Sequence, residues 1–216
     1  MKTAAELIAF ENRIRDHFAA GELPCLVHLS GGNEEQLIEI FREIRPGDYV
    51  FSGHRSHYHA LLKGIPAWRV ENDILTGKSM FIFSREHRFF TSSILGGCCG
   101  IAAGVAAEIK RGGHTERIWC FLGDGACDEG AFWEALNFVE GQNLPCTFVI
   151  EDNDRQVDTD KATRRGSDIV DWVLGNYGCV RRYTYTPTYP HGGAGLPPGS
   201  VTFKPEAIAR LSNLKS

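Results

Sequence analysis

Two polar side chains, Asp124 and Asn153, each follow an apolar segment in the middle of the chain. Asp124 lies in Gly123-Asp124-Gly125 after the apolar residues 118–122, and Asn153 comes shortly after the apolar residues 146–150. Apolar side chains recur at helical spacing between these segments, so the pattern predicts a strand, a helix and a second strand. Neighbouring parallel strands end at the same edge of a sheet, where ligands bind in open α/β folds. We therefore expect Asp124 and Asn153 to lie side by side.

The oxygen atoms of these two side chains suit a hard cation that holds a diphosphate. Mg²⁺ prefers octahedral oxygen coordination, usually from one or two carboxylates, substrate phosphates and water. The flanking glycines let the backbone approach a ligand closely, and the free N–H groups of the following helix would face an anion. Gly-Asp-Gly alone also fits a simple turn, and Asn153 alone fits a strand-end cap. The pairing of the two strand ends favours the metal site.

The stretch around Asp124 carries a longer pattern. It reads Gly123-Asp124-Gly125-Ala126, then Glu129-Gly130-Ala131-Phe132-Trp133-Glu134-Ala135-Leu136-Asn137, and it closes with Asp152-Asn153. This pattern resembles the thiamine-diphosphate motif of the alpha subunits of the decarboxylating component of 2-oxo acid dehydrogenase complexes, a group that includes the acetoin dehydrogenase alpha subunit. The family usually has Asn-Asn where this chain has Asp152-Asn153, so the ligand position is retained.

The resemblance implies that the chain binds thiamine diphosphate and Mg²⁺. It implies three metal ligands, which are Asp124, Asn153 and the backbone carbonyl of Arg155. The two glycines beside Asp124 and the next residue, Ala126, would then contact the diphosphate, with backbone amides facing it.

A histidine-rich stretch, residues 53–64, is the second match to the same family. It reads Gly-His-Arg-Ser-His-Tyr-His-Ala-Leu-Leu-Lys-Gly and resembles a family segment, Tyr/His-Arg-X-His-X-His, whose arginine holds the diphosphate. A guanidinium can bind two phosphate oxygens at once, which suits Arg55, and His54 would lie beside the cofactor. Because an imidazole transfers protons at neutral pH, His57 is a candidate catalytic residue, whereas we expect His59 to be structural. A metal site made by these histidines is disfavoured, since no acidic or cysteine partner lies nearby.

Three further residues take site roles through the resemblance. His28, in His28-Leu29 ahead of a predicted helix, resembles the family histidine that faces cofactor and substrate, so it is a candidate catalytic residue. A surface histidine at a strand end is the alternative. The residues 93–96, Ser-Ile-Leu-Gly, stand where the family has Gly-Ile-Val-Gly. Ser93 and Leu95 would support the rings of the cofactor, Leu95 as an apolar wedge, although core packing also explains Leu95.

Some family features are missing. Phe81 stands where the family has a histidine, and no loop with a His-Ser segment follows Asn153. The chain therefore resembles a short form of the family, and the resemblance covers about residues 20–185. Nothing in the sequence resembles the family's pyrimidine-binding domain with its activating glutamate. We therefore expect a beta-type partner subunit to supply that glutamate, most simply in an α2β2 assembly.

The resemblance predicts the alpha subunit of a thiamine-diphosphate-dependent enzyme that decarboxylates a 2-oxo acid, or cleaves a related ketone, and transfers the acyl or aldehyde unit. The N-terminal half of a split transketolase-like enzyme and a non-catalytic cofactor-binding paralogue are the alternatives. A nicotinamide-binding domain is disfavoured, because no G-x-G-x-x-G motif follows a strand.

The elements that must position these residues follow from hydrophobic spacing and helix caps. Predicted strands cover residues 48–51, 118–122, 146–150 and 179–185. Predicted helices cover residues 4–19, 53–63, 96–111 and 167–176. Another predicted helix begins after its cap, Asn33, and ends before Pro46, and a last short helix begins at Pro205. Residues 64–93 and 154–166 are expected to be irregular.

The alternation of strands and helices predicts an α/β fold, with a doubly wound, mostly parallel sheet and helices on both faces. The resemblance implies the thiamine-diphosphate-binding fold of the diphosphate-binding type. We expect a cofactor-binding domain over residues 1–186, and a Pro/Gly-rich arm with a short helix over residues 187–216.

Composition excludes several classes of protein. The chain has 216 residues, 43% of them hydrophobic, which is enough for a substantial core. A net charge of −4 with mixed signs favours neither nucleic acid nor a membrane surface, and no apolar run approaches a membrane span. Glu6 and Glu11 argue against a signal peptide. Seven cysteines without metal-ligand spacing indicate buried thiols in a reducing, cytoplasmic setting.

Overall fold

A six-stranded sheet forms the centre of the computed structural model, which describes residues 1–196 and 199–211. The described strands are Tyr49–Ser52 (β1), Phe83–Ser84 (β2), Phe89–Thr91 (β3), Ile118–Gly123 (β4), Cys146–Asp152 (β5), Arg155–Gln156 (β6), Thr159–Asp160 (β7) and Val180–Thr184 (β8). The central sheet has the order β2-β3-β1-β4-β5-β8. Its strands are parallel except for β2, which pairs antiparallel with β3, and β6 and β7 form a separate hairpin.

Helices cover both faces of this sheet. They are Ala4–Ala19 (α1), Glu34–Glu43 (α2), His57–Leu62 (α3), Ala67–Leu75 (α4), Gly97–Arg111 (α5), Gly130–Gly141 (α6), Lys161–Arg165 (α7), Ile169–Leu174 (α8) and Pro205–Ala209 (α9), with a 3-10 turn at Asp124–Asp128. Helices α1 to α4 contribute to one hydrophobic cluster, and α5 and α6 contribute to a second.

Strand β4 shows why both faces must be covered. Trp119 and Phe121 belong to the cluster with α1 to α4, whereas Ile118, Cys120 and Leu122 belong to the cluster with α5 and α6. Successive side chains of a strand point to opposite faces, so a strand that is apolar throughout must be buried on both. The prediction of an α/β fold with a doubly wound, mostly parallel sheet is confirmed.

Local signals explain the helices that flank the site. Thr3 and Glu6 form a reciprocal capping box at the start of α1, whose apolar side chains Leu7 and Ile14 are fully buried. Helix α5 begins after Gly96, whose φ of 69° favours glycine. Small residues of α5 then pack closely against α6 and the sheet, as Ala102 and Ala106 do.

The strand ends meet at one edge of the sheet. The register pairs Gly123 of β4 with Glu151 of β5, so the residues that follow these strands are neighbours. This confirms the predicted juxtaposition of the two βαβ strand ends, which is the edge where the candidate site lies.

Three expected segments differ from the structure. Residues 64–93 were expected to be irregular, but they contain α4 and the short strands β2 and β3. Residues 154–166 were expected to be a loop, but they form the β6–β7 hairpin and α7. Helix α3 begins at His57 rather than at Gly53. The short strands, the hairpin and α7 have five residues or fewer, which is too few to show a hydrophobic period, so tertiary packing decides their conformation. Helix α4 does carry its buried Val70 and Ile74 at helical spacing.

The C-terminal arm packs against the N-terminal part of the chain. The Gly193 N–H donates to the Val27 carbonyl at 2.7 Å, and the Lys204 N–H donates to the Gly21 carbonyl at 2.8 Å. A Cβ on Gly21 would lie 2.2 Å from the carbonyl oxygen of Thr202, so this contact requires glycine. The predicted loop and arm include residues 197–198 and 212–216, which lie outside the described residues. The predicted division at residue 186 stays a prediction.

None of the described helices is both long and apolar enough to cross a lipid bilayer. The seven cysteines are unpaired, and five of them are buried. Buried thiols of this kind pack as small apolar side chains.

Candidate functional site

A cavity of about 320 Å³ opens at the carboxyl edge of β1, β4 and β5. Ten of the twelve predicted site residues line it: His28, His54, Arg55, Ser93, Leu95, Gly123, Gly125, Ala126, Asn153 and Arg155. Asp124 lies directly between two of these lining residues, and His57 lies elsewhere. The cavity has a carboxylate end around Asp124 and a histidine end around His28.

Asp124 is buried at the carboxylate end, where only 1% of its surface is exposed. Its Oδ2 accepts a hydrogen bond from Arg164, whereas its Oδ1 has no hydrogen-bond partner among the described residues. Burial raises the pKa of this carboxyl, and nearby Asp152 adds to the rise, while Arg164 opposes it. A buried carboxylate oxygen without a partner is costly unless a cation or donor reaches it.

Asn153 follows β5 and is 8% exposed. Its Oδ1 accepts the Arg155 N–H at 3.1 Å, and its Nδ2 lies 3.5 Å from the Tyr185 hydroxyl. These contacts fix the amide side chain beside the cavity, which Arg155 also lines.

The glycines around Asp124 have different surroundings. A Cβ on Gly125 would lie 2.8 Å from Gln156 Cγ, so the hairpin after Asn153 approaches this residue closely. A Cβ on Gly123 would meet nothing within 4 Å, because this residue faces open space in the cavity. The backbone at the end of β4 is thus accessible to a bound anion.

Four carboxylates and four cations form an ion-pair network behind the carboxylate end. They are Asp124, Asp128, Asp152 and Asp171, with Lys161, Arg164, Arg165 and Arg182. Burial disfavours ionised Asp152, but hydrogen bonds from Lys161 and Arg182 outweigh it and lower the pKa of that carboxyl. Arg165 also donates to the Asp124 backbone carbonyl at 2.7 Å. These cations were not predicted as site residues. Lys161, Arg164 and Arg165 lie in a segment that shows no pattern beyond polarity, and Arg182 lies in a predicted strand.

Arg55 joins the cavity to the N-terminal part of the chain. Its Nη1 donates to the Leu29 carbonyl at 2.7 Å, and its Nη2 lies 3.4 Å from His191 Nδ1. Because no carboxylate pairs with Arg55 among the described residues, its charge is available to an anion in the cavity.

Three histidines converge at the other end of the cavity. The ring centroids of His28 and His54 lie 4.8 Å apart, and those of His28 and His191 lie 4.9 Å apart. The Nδ1 atom of His28 lies 2.7 Å from the His191 carbonyl, so Nδ1 carries the proton and donates it. His191 was not predicted as a site residue; it lies in the C-terminal arm, and no local motif marks it.

The histidines at this end are held neutral. Burial lowers the pKa of His28, and the positive charge of Arg55 lowers it further. The hydrogen bond to the His191 carbonyl opposes this shift but does not outweigh it. Burial, with smaller contributions from His28 and Arg55, lowers the pKa of His54 to about 3. Burial and the Arg55 guanidinium also lower the pKa of His191.

His57 and His59 point away from the histidine end. His57 is fully buried, with Nε2 2.9 Å from the Ser79 hydroxyl and Nδ1 3.6 Å from Glu11 Oε1. His59 lies 2.7 Å from the Ser52 hydroxyl and 3.2 Å from Glu151 Oε1. The structure therefore does not bring His57 to the cavity wall, because α3 starts at this residue and turns it toward α1.

Ser93 and Leu95 lie in the turn before α5. Both line the cavity, and Leu95 also packs against the cluster that contains α5 and α6. The residue between them, Ile94, is 73% exposed. The turn thus presents one apolar side chain inward and another to solvent.

Residues 2–171 match the model of the family described as Dehydrogenase E1 component. The chain belongs to this family. The resemblance derived from the motifs is confirmed.

Curated relatives carry two related names. The alpha subunit of acetoin:2,6-dichlorophenolindophenol oxidoreductase from Cupriavidus necator is 34% identical over 154 residues, which cover 67% of this chain and 46% of that protein. The Bacillus subtilis protein of the same name is 33% identical over 158 residues, covering 68% and 47%. The pyruvate dehydrogenase E1 component subunit alpha of Porphyra purpurea is 32% identical over 166 residues, covering 67% and 47%. The chain spans about half the length of these relatives.

The site residues fit the cofactor that this family implies, thiamine diphosphate. An unpartnered oxygen of Asp124 and the nearby Asn153 amide match the ligand preferences of Mg²⁺. Gly123 faces open space where a diphosphate oxygen could approach the backbone, and Arg55 has no carboxylate partner within the described part of the chain.

Proposed function

We propose that the chain is the diphosphate-binding, alpha-type part of a thiamine-diphosphate-dependent enzyme. This enzyme decarboxylates a 2-oxo acid, or cleaves a related ketone, and transfers the resulting acyl or aldehyde unit. The observation that carries the proposal is the buried, unpartnered Oδ1 of Asp124 beside Asn153, at the end of a cavity that also contains Arg55 and His28.

The residues at the carboxylate end would anchor the cofactor. Asp124, Asn153 and the Arg155 carbonyl would hold Mg²⁺, and Arg55 would bind a phosphate oxygen through its free N–H groups. The backbone of Gly123, Gly125 and Ala126 would lie against the diphosphate. Thiamine diphosphate, when bound, supplies a carbanion nucleophile and an electron sink for cleavage next to a carbonyl.

His28 is the candidate for proton transfer in this site. Its Nδ1 proton is held by the His191 carbonyl, so the lone pair on Nε2 is free to accept a proton. Because burial lowers the pKa of His28, the imidazole is neutral near pH 7 and acts first as a base. His54, Ser93 and Leu95 would shape the wall around the cofactor. His57 acts through packing, since it contacts Glu11 and Ser79 rather than the cavity.

We further propose that a beta-type subunit completes the active site, most simply in an α2β2 assembly in the cytoplasm. Mg²⁺ and a small 2-oxo acid are the other partners. The exposed Ile94 at the cavity rim supports a partner that covers the rim. The unpaired cysteines support a reducing compartment.

Calorimetric titration tests the cofactor part of the proposal. Thiamine diphosphate with Mg²⁺ should bind the chain, or its complex with a beta-type subunit, and EDTA should abolish the binding. Thiamine monophosphate is the matched control, because it lacks the phosphate that would complete the metal site; its affinity should be weaker and independent of Mg²⁺. Equal affinities of the two ligands would refute a metal-diphosphate site.

Size-exclusion chromatography and turnover assays test the partner. The chain should elute as a larger complex with a co-expressed beta-type subunit, and only the complex should release CO₂ or an aldehyde from 2-oxo acids. Full turnover by the chain alone would contradict the requirement for a partner, while leaving the cofactor site intact.

A further inference from the structure

The histidine end of the cavity has the geometry of a metal site that is separate from the carboxylate end. One ligand nitrogen from each of His28, His54 and His191 can be chosen so that all three lie within 4.8 Å of one another. The three rings are mutually inclined by 75°, 62° and 55°, so none of them stacks on another.

Two of these rings carry a nitrogen that is ready to bind. The hydrogen bond from His28 Nδ1 to the His191 carbonyl fixes the proton on Nδ1 and leaves the lone pair on Nε2, which can bind a metal ion or accept a proton, but not both at once. Carbonyl groups hold metal-binding histidines in the same way in metalloproteins. The Nε2 atom of His54 is buried and has no hydrogen-bond partner among the described residues.

We propose that His28, His54 and His191 form a site for a borderline divalent cation such as Zn²⁺ or Co²⁺. Three imidazoles leave a coordination position open for water or for an anion from the cavity, as in open zinc sites. Mg²⁺ prefers oxygen ligands and selects the carboxylate end instead. The two ends thus bind cations of different classes.

Arg55 is the charged group that opposes the site. Its Nη2 lies 3.4 Å from His191 Nδ1 and can only donate to it, so His191 must release this contact to bind a metal through Nδ1. A divalent cation at the site also experiences repulsion from the guanidinium. An anion bound to Arg55, such as inorganic phosphate, should therefore tighten the site.

Equilibrium dialysis with Co²⁺ tests the site on the full chain without an affinity tag. The wild-type chain should bind one Co²⁺ per chain with visible d–d absorption, and a large excess of Mg²⁺ should leave the absorption unchanged. Inorganic phosphate should increase the affinity. The variants His54→Ala and His191→Ala should each weaken binding at least about tenfold, as loss of a ligand does.

His114→Ala is the matched control, since His114 is exposed and distant from the cluster in sequence. It should bind Co²⁺ like the wild type. Circular dichroism of the metal-free variants checks that they fold. If one of the two ligand variants unfolds, Co²⁺ binding by the other one tests the proposal. The proposal is overturned if Co²⁺ does not bind, if binding survives both ligand substitutions, or if Mg²⁺ displaces Co²⁺.

Discussion

The cavity has two ends that handle buried charge in different ways. At the carboxylate end, Asp124 is ionisable, buried and surrounded by a network of compensating cations. At the histidine end, the imidazoles of His28, His54 and His191 are kept neutral by burial and by the positive charge of Arg55. One end therefore depends on charge balance, and the other depends on imidazoles that stay uncharged.

This difference determines how each end responds to change. Removing a partner from a buried ion pair leaves the other charge uncompensated, so substitutions at the carboxylate end should affect affinity and stability strongly. Removing a neutral imidazole leaves no charge behind. Substitutions at the histidine end should mainly change proton binding and metal binding.

Asp124→Asn should give the largest effect. Asparagine keeps the shape of the side chain but removes the charge that a cation needs, so Mg²⁺-dependent binding of thiamine diphosphate should fall by about 100-fold or more, which is about 2.7 kcal/mol. Calorimetric titration measures the affinity. Asp128→Asn is the matched control, because Asp128 pairs with the same Arg164 but does not line the cavity. If both variants lost affinity equally, the network rather than the Asp124 ligand would be responsible.

Arg164→Gln should weaken the fold rather than the ligand set. The Arg164 side chain is only 8% exposed and pairs with both Asp124 and Asp128. The unfolding free energy should drop by about 2 kcal/mol. The drop is smaller than that caused by leaving a buried charge with no partner, because Arg165 still contacts Asp128 and the Asp124 carbonyl. Urea denaturation measures this drop.

Added Mg²⁺ gives this variant a second readout. If a cation can replace the missing guanidinium at Asp124, Mg²⁺ should restore part of the stability of Arg164→Gln and stabilise the wild type less. Arg111→Gln is the control, since Arg111 and Glu108 are 79% and 59% exposed and their pair should contribute less than about 1 kcal/mol. A loss in Arg164→Gln no larger than in this control would rule out a network that depends on charge balance.

Arg55→Lys tests the boundary between the two ends. Lysine keeps the charge but loses the forked geometry and the bond to the Leu29 carbonyl, so affinity for thiamine diphosphate should fall about tenfold, or about 1.4 kcal/mol. The same titration measures it. An unchanged affinity would mean that Arg55 serves the histidine end alone.

The carboxylate end was predictable from sequence for a physical reason. Asp124 and Asn153 directly follow long apolar strands, and parallel strands bring their carboxyl ends together whatever the remaining fold does. The main strands and the long helices were predictable on the same grounds, since their apolar period extends over many residues.

The histidine end was only partly predictable. His191 reaches the cavity through a bridge between residues 28 and 193, and such a long-range contact leaves no local pattern in the sequence. Arg164 lies in a five-residue helix capped by Asp160, which is too short to show periodicity. His57 was expected near the cofactor because it matches a histidine of the family segment and an imidazole can transfer protons at neutral pH. Helix α3 begins at this residue and directs its side chain toward Glu11 instead.

The most gradual effect concerns the pH dependence of stability at the histidine end. The pKa of His54 is lowered by burial to about 3 in the folded chain, whereas an unfolded histidine titrates near pH 6.5. Between these values the unfolded chain binds one more proton than the folded chain does. His54 therefore makes the unfolding free energy fall as the pH drops below about 6.5, with a slope of up to about 1.4 kcal/mol per pH unit.

His54→Gln should flatten this slope without abolishing it, because the pKa values of His28 and His191 are lowered too. Urea denaturation of both proteins between pH 7 and pH 5 measures the difference. His114→Gln serves as the control, since an exposed histidine should leave the curve unchanged. Parallel curves for wild type and His54→Gln would mean that the folded chain protonates His54 readily. The histidine end would then tolerate charge as the carboxylate end does, and the contrast between the two ends would disappear.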